Sequence, residues 1–192
     1  MLVIKNLVKK YHNNTILNNL SYVFEKGNLY IIRGDNGSGK STLLKILSKI
    51  SYKTSGEISG NARIAYLHDK PVFPYLMRVD DYLKTVIKLN NSNVNYLDIL
   101  EEYNIPNKRI FELSKGNKAK LGIAQVLLND MDIYIFDEPI DGLDDFAKEL
   151  FKNKILELIF NDKIVIMSLH EMNIFENDYY KLITLKDGRL YE

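Results

Sequence analysis

A chain of 192 residues, 46% hydrophobic and 27% charged, can bury one core with a small appended subdomain but not two full domains. A formal charge of +1 supplies no general field for nucleic acid, and the absence of cysteine excludes disulfides and thiolate metal sites, in keeping with the cytosol. No apolar run reaches the length of a membrane span, and the start Met1-Leu2-Val3-Ile4-Lys5 lacks a signal peptide's basic-then-apolar order, so the chain is expected to be neither exported nor membrane-spanning.

Leu2, Ile4 and Leu7 open strand-like material that runs to His12, and Asn13-Asn14 turns the chain. A second arm alternates through Leu20, Tyr22 and Phe24 before Lys26-Gly27. The apolar run from Leu29 to Ile32 then enters Gly34-Asp35-Asn36-Gly37-Ser38-Gly39-Lys40-Ser41, which completes the pattern G-x-x-x-x-G-K-[ST]; Leu43, Leu44, Ile46 and Leu47 follow at helical spacing. Strand, loop and helix in that order make a phosphate cradle. The glycines let successive N–H groups point at one centre, and the helix adds the positive end of its dipole there. Residues 36 to 42 (Asn36, Gly37, Ser38, Gly39, Lys40, Ser41 and Thr42) are the candidate phosphate binders. Lys40 would reach the outer phosphates as a point charge, and the Ser41 hydroxyl would ligate a magnesium ion.

Ser55-Gly56 and Ser59-Gly60 punctuate short segments, and Arg63 to Leu67 is expected to be a buried strand ending at His68. From Pro71 to Ile110 the period becomes helical. Val79, Tyr82, Leu83, Val86 and Ile87 mark one helix that opens near Asp80-Asp81; after an Asn90 to Asn93 loop, Tyr96, Leu97, Ile99, Leu100 and Tyr103 mark a second, stopped by Asn104 to Pro106. The polar faces of the pair carry Asp and Glu as well as Lys, which favours the core of a small helical subdomain over a membrane-lying helix.

The α/β pattern returns at Leu113. Ser114-Lys115-Gly116-Asn117 precedes a helix through Ala119, Ile123, Ala124, Leu127 and Leu128, and the apolar strand Ile133 to Phe136 ends in Asp137-Glu138-Pro139. A helix carrying Phe146, Leu150, Phe151, Ile155 and Leu158 leads to the strand Ile164 to Leu169 and His170, and a terminal hairpin turns at Lys186-Asp187-Gly188. Strands alternating with helices call for a mostly parallel sheet with the ligand beyond the strands' carboxyl ends. The strand ending at Asp137 is expected beside the one feeding the phosphate loop. There Asp137 would hold magnesium, through water, and Glu138 would polarise the attacking water.

In this order the residues resemble the ATP-binding cassette (ABC) ATPase family, over essentially the whole chain: Tyr11, the phosphate loop, His68 after Ala65-Tyr66-Leu67, the Leu113 to Asn117 signature, Asp137-Glu138 with Asp141-Gly142-Leu143-Asp144, and His170. The resemblance implies an α/β P-loop NTPase (RecA-like) fold with N-terminal antiparallel strands. Residues 1–192 would be one cassette, with its core in 1–70 and 114–192 and a helical subdomain at about 71–113. It implies that Tyr11 stacks on adenine, that ATP with Mg2+ is the bound species, and that His170 contacts the terminal phosphate. Ser114 and Gly116 would face the ATP of a second cassette, in a head-to-tail homodimer contacted also by Asp144.

Three positions depart from the family's pattern: Lys115 and Asn117 replace a glycine and the glutamine of a Leu-Ser-Gly-Gly-Gln signature, and His68 stands where a glutamine normally touches magnesium and water. His68 is kept as a third catalytic candidate beside Glu138 and His170. The Ser-Lys-Gly form resembles ATPases of small two-component exporters. The expectation is thus an ATPase subunit driving a separate transmembrane permease from the cytoplasmic face of the membrane, with no nucleic-acid partner. The alternatives are a soluble non-transport ABC ATPase of the cluster-assembly type and a regulatory module with little hydrolysis.

Overall fold

The computed structural model describes residues 1–169, 174–175 and 179–192. In chain order they form β1 (Leu2–Tyr11), β2 (Asn14–Phe24), β3 (Asn28–Arg33), α1 (Lys40–Leu47), β4 (Ser55–Ser59), β5 (Ile64–Leu67), α2 (Val79–Leu89), α3 (Tyr96–Glu102), a single 3-10 turn (Ile110–Glu112), α4 (Lys115–Leu127), β6 (Ile133–Asp137), α5 (Asp145–Phe160), β7 (Ile164–Ser168), β8 (Tyr180–Lys186) and β9 (Arg189–Tyr191).

Two sheets result. A three-stranded antiparallel sheet has the order β2-β1-β4, and a six-stranded sheet runs β5-β6-β7-β3-β8-β9. Five of the six strands are parallel, and only β9 turns back on β8. That hairpin closes through Asp187 at φ 49 and Gly188 at φ 69, the paired left-handed residues of a two-residue turn that matches strand twist. The stretch read as punctuation at Ser55 to Ser59 is a full strand paired with β1. Gly56 makes the pairing possible: at φ 90, a Cβ there would stand 2.4 Å from the Asn6 carbonyl oxygen.

Side chains alternate across a strand, so each face of the six-stranded sheet builds its own core. On one face Tyr30, Ile32, Ile133, Ile135, Ile164 and Ile166 meet Leu43, Leu44 and Leu47 of α1 and the inner side of the antiparallel sheet. On the other, Leu29, Ile31, Tyr134, Phe136, Val165 and Met167 receive the buried residues of α2, α3, α4 and α5. Burial on both faces explains the unbroken apolar runs of β6 and β7. β5 differs from its expected full burial. It is an edge strand, and its residues alternate between half-buried and buried. Leu97 and Phe146, assigned to buried stripes from spacing, are exposed.

One expected neighbour is wrong in a way that matters. β6 does not lie beside β3; β7 is inserted between them. Parallel strands joined by helical crossovers need not sit in sequence order, and the insertion places Ser168 directly opposite Asp137.

Three helix starts, those of α3, α4 and α5, carry side-chain caps, and two of them bear on the site. The Ser114 hydroxyl oxygen accepts the Asn117 N–H at 3.2 Å, so Lys115 to Asn117 form the first turn of α4 rather than preceding it. Asp144 caps α5, accepting the Ala147 N–H at 2.8 Å on one oxygen and the buried Lys120 ammonium at 2.7 Å on the other. Lys120, then the Ala147 N–H, hold the Asp144 carboxyl below its ordinary value. Its contribution to folding is therefore complete above the ordinary carboxylate value of about 3.9 and is lost as pH falls through the lowered native value. Asp144→Asn keeps a capping group but removes the anion facing Lys120. At pH 7 it should cost about 1 kcal/mol, a value reduced by the solvent around Asp144. In denaturant titrations the gap from wild type should close as pH falls below the carboxylate range.

Candidate functional site

The site begins with a helix end that no side chain among the described residues caps. α3, α4 and α5 have side-chain caps, and α2 carries Asp80 and Asp81 in its first turn. α1 has neither a capping side chain nor an acidic residue in its first turn. Its leading N–H groups and positive dipole end are left for an external anion. The residue before α1, Gly39, adopts φ 104, and a Cβ on it would come within 2.9 Å of Ile16. Only glycine lets the loop lie this close to β2 while turning its N–H groups outward.

Around this helix end lies a cleft of about 300 Å³, lined by Tyr11, Ile16, Asn36, Gly37, Gly39, Lys40, Ser41, Thr42 and Glu138. The fold thus brings most of the sequence-predicted phosphate binders together with one of the carboxylates. Lys40 is buried, and its ammonium folds back onto the loop, donating to the Gly34 carbonyl at 2.7 Å and the Asp35 carbonyl at 3.2 Å. Among the described residues the Ser38 hydroxyl is buried without a hydrogen-bond partner, and buried polar groups are rarely left so. An uncapped helix end, a lysine donating to neutral carbonyls and a hydroxyl unpaired among the described residues fit a polyphosphate. Tyr11 stands at the rim, half exposed, with the Lys9 ammonium 4.4 Å from its ring centroid.

Asp137 is fully buried at the end of β6. Ser168 donates to its Oδ1 at 2.7 Å, and the Tyr66 phenol donates to its Oδ2 at 3.4 Å. Burial, then the Asp137 charge, pushes the Tyr66 phenol up, so it stays a donor. A buried carboxylate held by neutral hydroxyls suits a metal ion or its bound water. Glu138 follows at φ 51, a left-handed conformation uncommon outside glycine and asparagine, and its N–H donates to the Ser168 hydroxyl at 3.0 Å. This turn separates the two carboxylates: Asp137 stays inside, and Glu138 reaches the cleft wall. Sequence reasoning missed Ser168. The available signal was a hydroxyl at the exit of a strand otherwise made of Ile, Val and Met.

Three candidates lie elsewhere. His68, at the exit of β5, is not part of the cleft lining; it contacts Asp69, and its Nδ1 accepts the Lys70 N–H at 3.0 Å. Ser114 is exposed, and neither it nor Gly116 lines the cleft of its own chain. Gly116 answers to a contact within the chain, because a Cβ there would meet the Gly142 carbonyl oxygen at 2.6 Å. The lysine that departs from the signature pairs with Asp141 at 2.7 Å in the same loop. Both Asp144 oxygens are likewise engaged inside the chain. His170 lies outside the described residues; Leu169, just before it, lines the far side of the phosphate loop with Gly34 and Asp35.

Residues 17–141 match the family model described as ABC transporter. The cytochrome c biogenesis ATP-binding export protein CcmA of Reclinomonas americana is 35% identical, over 95% of this chain and 91% of its own length. The lantibiotic transport ATP-binding protein SrtF of Streptococcus pyogenes is 32% identical, over 92% of this chain and 83% of its own. A dimeric ATP-binding cassette solved in a post-hydrolysis state with ADP and Pi has the same fold, with a TM-score of 0.86 at 22% identity, covering 100% of this chain and 97% of that one.

Lys40→Ala removes the one ammonium of the cleft. It should weaken binding of a fluorescent adenine nucleotide by about 10- to 100-fold, the scale of one or two lost charged hydrogen bonds, with little change in melting temperature.

Proposed function

The chain belongs to the ABC transporter family, as an ATPase subunit, and on that premise we propose that it powers a separate membrane permease, as an exporter, by closing on a second copy of itself around ATP. The observation that carries this reading is the cleft itself: an uncapped helix end, Lys40, Ser41 and Glu138 around one space. The exporter assignment is supported by relatives named as a cytochrome c biogenesis ATP-binding export protein and a lantibiotic transport ATP-binding protein.

The nucleotide's phosphates would lie across the N–H groups of residues 37 to 42, and the Lys40 ammonium would leave the Gly34 and Asp35 carbonyls for the outer phosphates. Tyr11 offers a ring face to adenine. Ser41 and Asp137 are the residues that would hold a magnesium ion, whose charge neutralises the phosphate oxygens. Glu138, turned to the cleft by its left-handed backbone, would accept a proton from the attacking water. Ser114, exposed at the capped end of α4, retains a hydroxyl hydrogen to donate after accepting from Asn117, and would offer it to the nucleotide of a partner copy.

ATP thereby bridges two copies, and hydrolysis removes the bridge. Among the described residues no helix is long and apolar enough to cross a membrane, so the pore would belong to the permease and the cassette would sit against its cytoplasmic face. Residues 71–113, with α2 and α3, would form the helical subdomain of that contact.

Glu138→Gln should lower phosphate release by about two to four orders of magnitude, the scale of lost general-base help, while ATP binding stays within a few-fold of wild type. In size-exclusion chromatography with ATP this variant should elute as a dimer, and the added change Ser114→Arg should return it to monomer. Undiminished hydrolysis by Glu138→Gln would overturn the base assignment. A dimer unaffected by Ser114→Arg would overturn the ATP-bridged arrangement.

A further inference from the structure

β6 is flanked by β5 and β7, and each neighbour sends one hydroxyl to the carboxylate at its end. The two contacts are unequal. Ser168 is directly opposite Asp137 in register, fully buried, and bonded at 2.7 Å. Tyr66, on the edge strand, reaches the second oxygen at 3.4 Å, long for an O–H to oxygen bond. Ser168 also does a second job with the same atom: its oxygen accepts the Glu138 N–H at 3.0 Å while its hydrogen goes to Asp137. One buried hydroxyl therefore joins the side chain of the first carboxylate to the backbone of the second, at the residue whose backbone is left-handed.

We propose that Ser168 is the positioning residue of this site, fixing the rotamer of Asp137 toward the metal and the turn that delivers Glu138 to the cleft, with Tyr66 as a weaker support on the opposite oxygen. This rests on the reading of Asp137 as a metal-facing carboxylate.

The physical case concerns freedom of rotation. A carboxylate at a strand exit can swing about its side-chain torsions, and in the interior each orientation must be bought with hydrogen bonds. Without the Ser168 hydroxyl, Oδ1 loses its short donor, and the Glu138 N–H loses its 3.0 Å acceptor while the longer contact to the Ser168 backbone carbonyl at 3.3 Å remains. Partners that orient a ligand without touching the metal are typically worth about 10- to 100-fold in metal affinity or activity. The apolar packing of Ile164 and Ile166 needs no hydroxyl, so Ser168→Ala leaves that packing in place, though losing a partner of a buried carboxylate costs some stability.

The test is equilibrium binding of Mn2+, followed by electron paramagnetic resonance, to the whole chain saturated with a non-hydrolysable ATP analogue. Ser168→Ala should weaken Mn2+ binding by about 10- to 100-fold, Ser168→Thr should restore it to within a few-fold, and Tyr66→Phe should give a smaller loss than Ser168→Ala. In steady-state assays the Mg2+ requirement of Ser168→Ala should rise while the KM for ATP at saturating Mg2+ stays near wild type. If Ser168→Ala fails to fold, Ser168→Cys, close in size and a weaker donor, should show an intermediate loss. Mn2+ affinity within twofold of wild type in a folded Ser168→Ala or Ser168→Cys protein would overturn the proposal. Asp137→Asn separates the two levels: if it binds Mn2+ as wild type does, the metal reading of Asp137 fails; if it loses Mn2+ while Ser168→Ala does not, only the positioning role fails.

Discussion

A short helix begins in the middle of this molecule with no capping side chain among the described residues, and the rest of the architecture keeps that end open and aimed. Four leucine and isoleucine side chains of α1 anchor it on the sheet, so the helix cannot tilt to find a cap. Gly39 allows β2 to press against the loop from below. Lys40 turns inward onto neutral carbonyls. The cost of an uncapped terminus, about 1 kcal/mol by comparison with capped ones, is small against the packing of α1, and a bound anion would offset it.

The parallel sheet places everything else relative to that end. All parallel strands finish on one edge, so the phosphate loop after β3, the carboxylates after β6 and the hydroxyl at the end of β7 share a rim. The insertion of β7 sets the distance between loop and carboxylates to two strand spacings, roughly 10 Å, instead of one.

Most of the fold was legible because its signals are local. The phosphate loop, the terminal hairpin, the apolar runs of β6 and β7 and the two short helices each show in a few neighbouring residues. What escaped depends on contacts between distant segments. Strand order is invisible to periodicity, so β7 was not placed between β3 and β6, and Ser168 had no reason to stand out. Ser55 to Ser59 carries a strand's period weakened by glycine, and only the close approach of Gly56 to Asn6 explains it. Leu97 and Phe146 have the right spacing for burial but face outward, because the width of a buried stripe is set by the partner surface and not by the helix.

The signature turn shows how a residue's apparent purpose can change once neighbours are known. Glycine at 116 was read as a residue kept small for a phosphate from another molecule, yet the Gly142 carbonyl of the same chain already forbids any side chain there. Lys115, out of place in the family's pattern, lies across Gly142 and ends on Asp141, while Lys120, further along α4, ends on Asp144. Exposed pairs such as Lys115 with Asp141 add little stability, but with Lys120 buried and Gly116 in backbone contact they leave α4 little independent travel. Since Asp141 also donates its N–H to the Glu138 carbonyl at 3.4 Å, the segment from Glu138 to Asp144 is tied to the catalytic cleft at one end and to Ser114's helix at the other. Ser114 and the loop that carries Glu138 are therefore joined by a continuous set of contacts built within one chain.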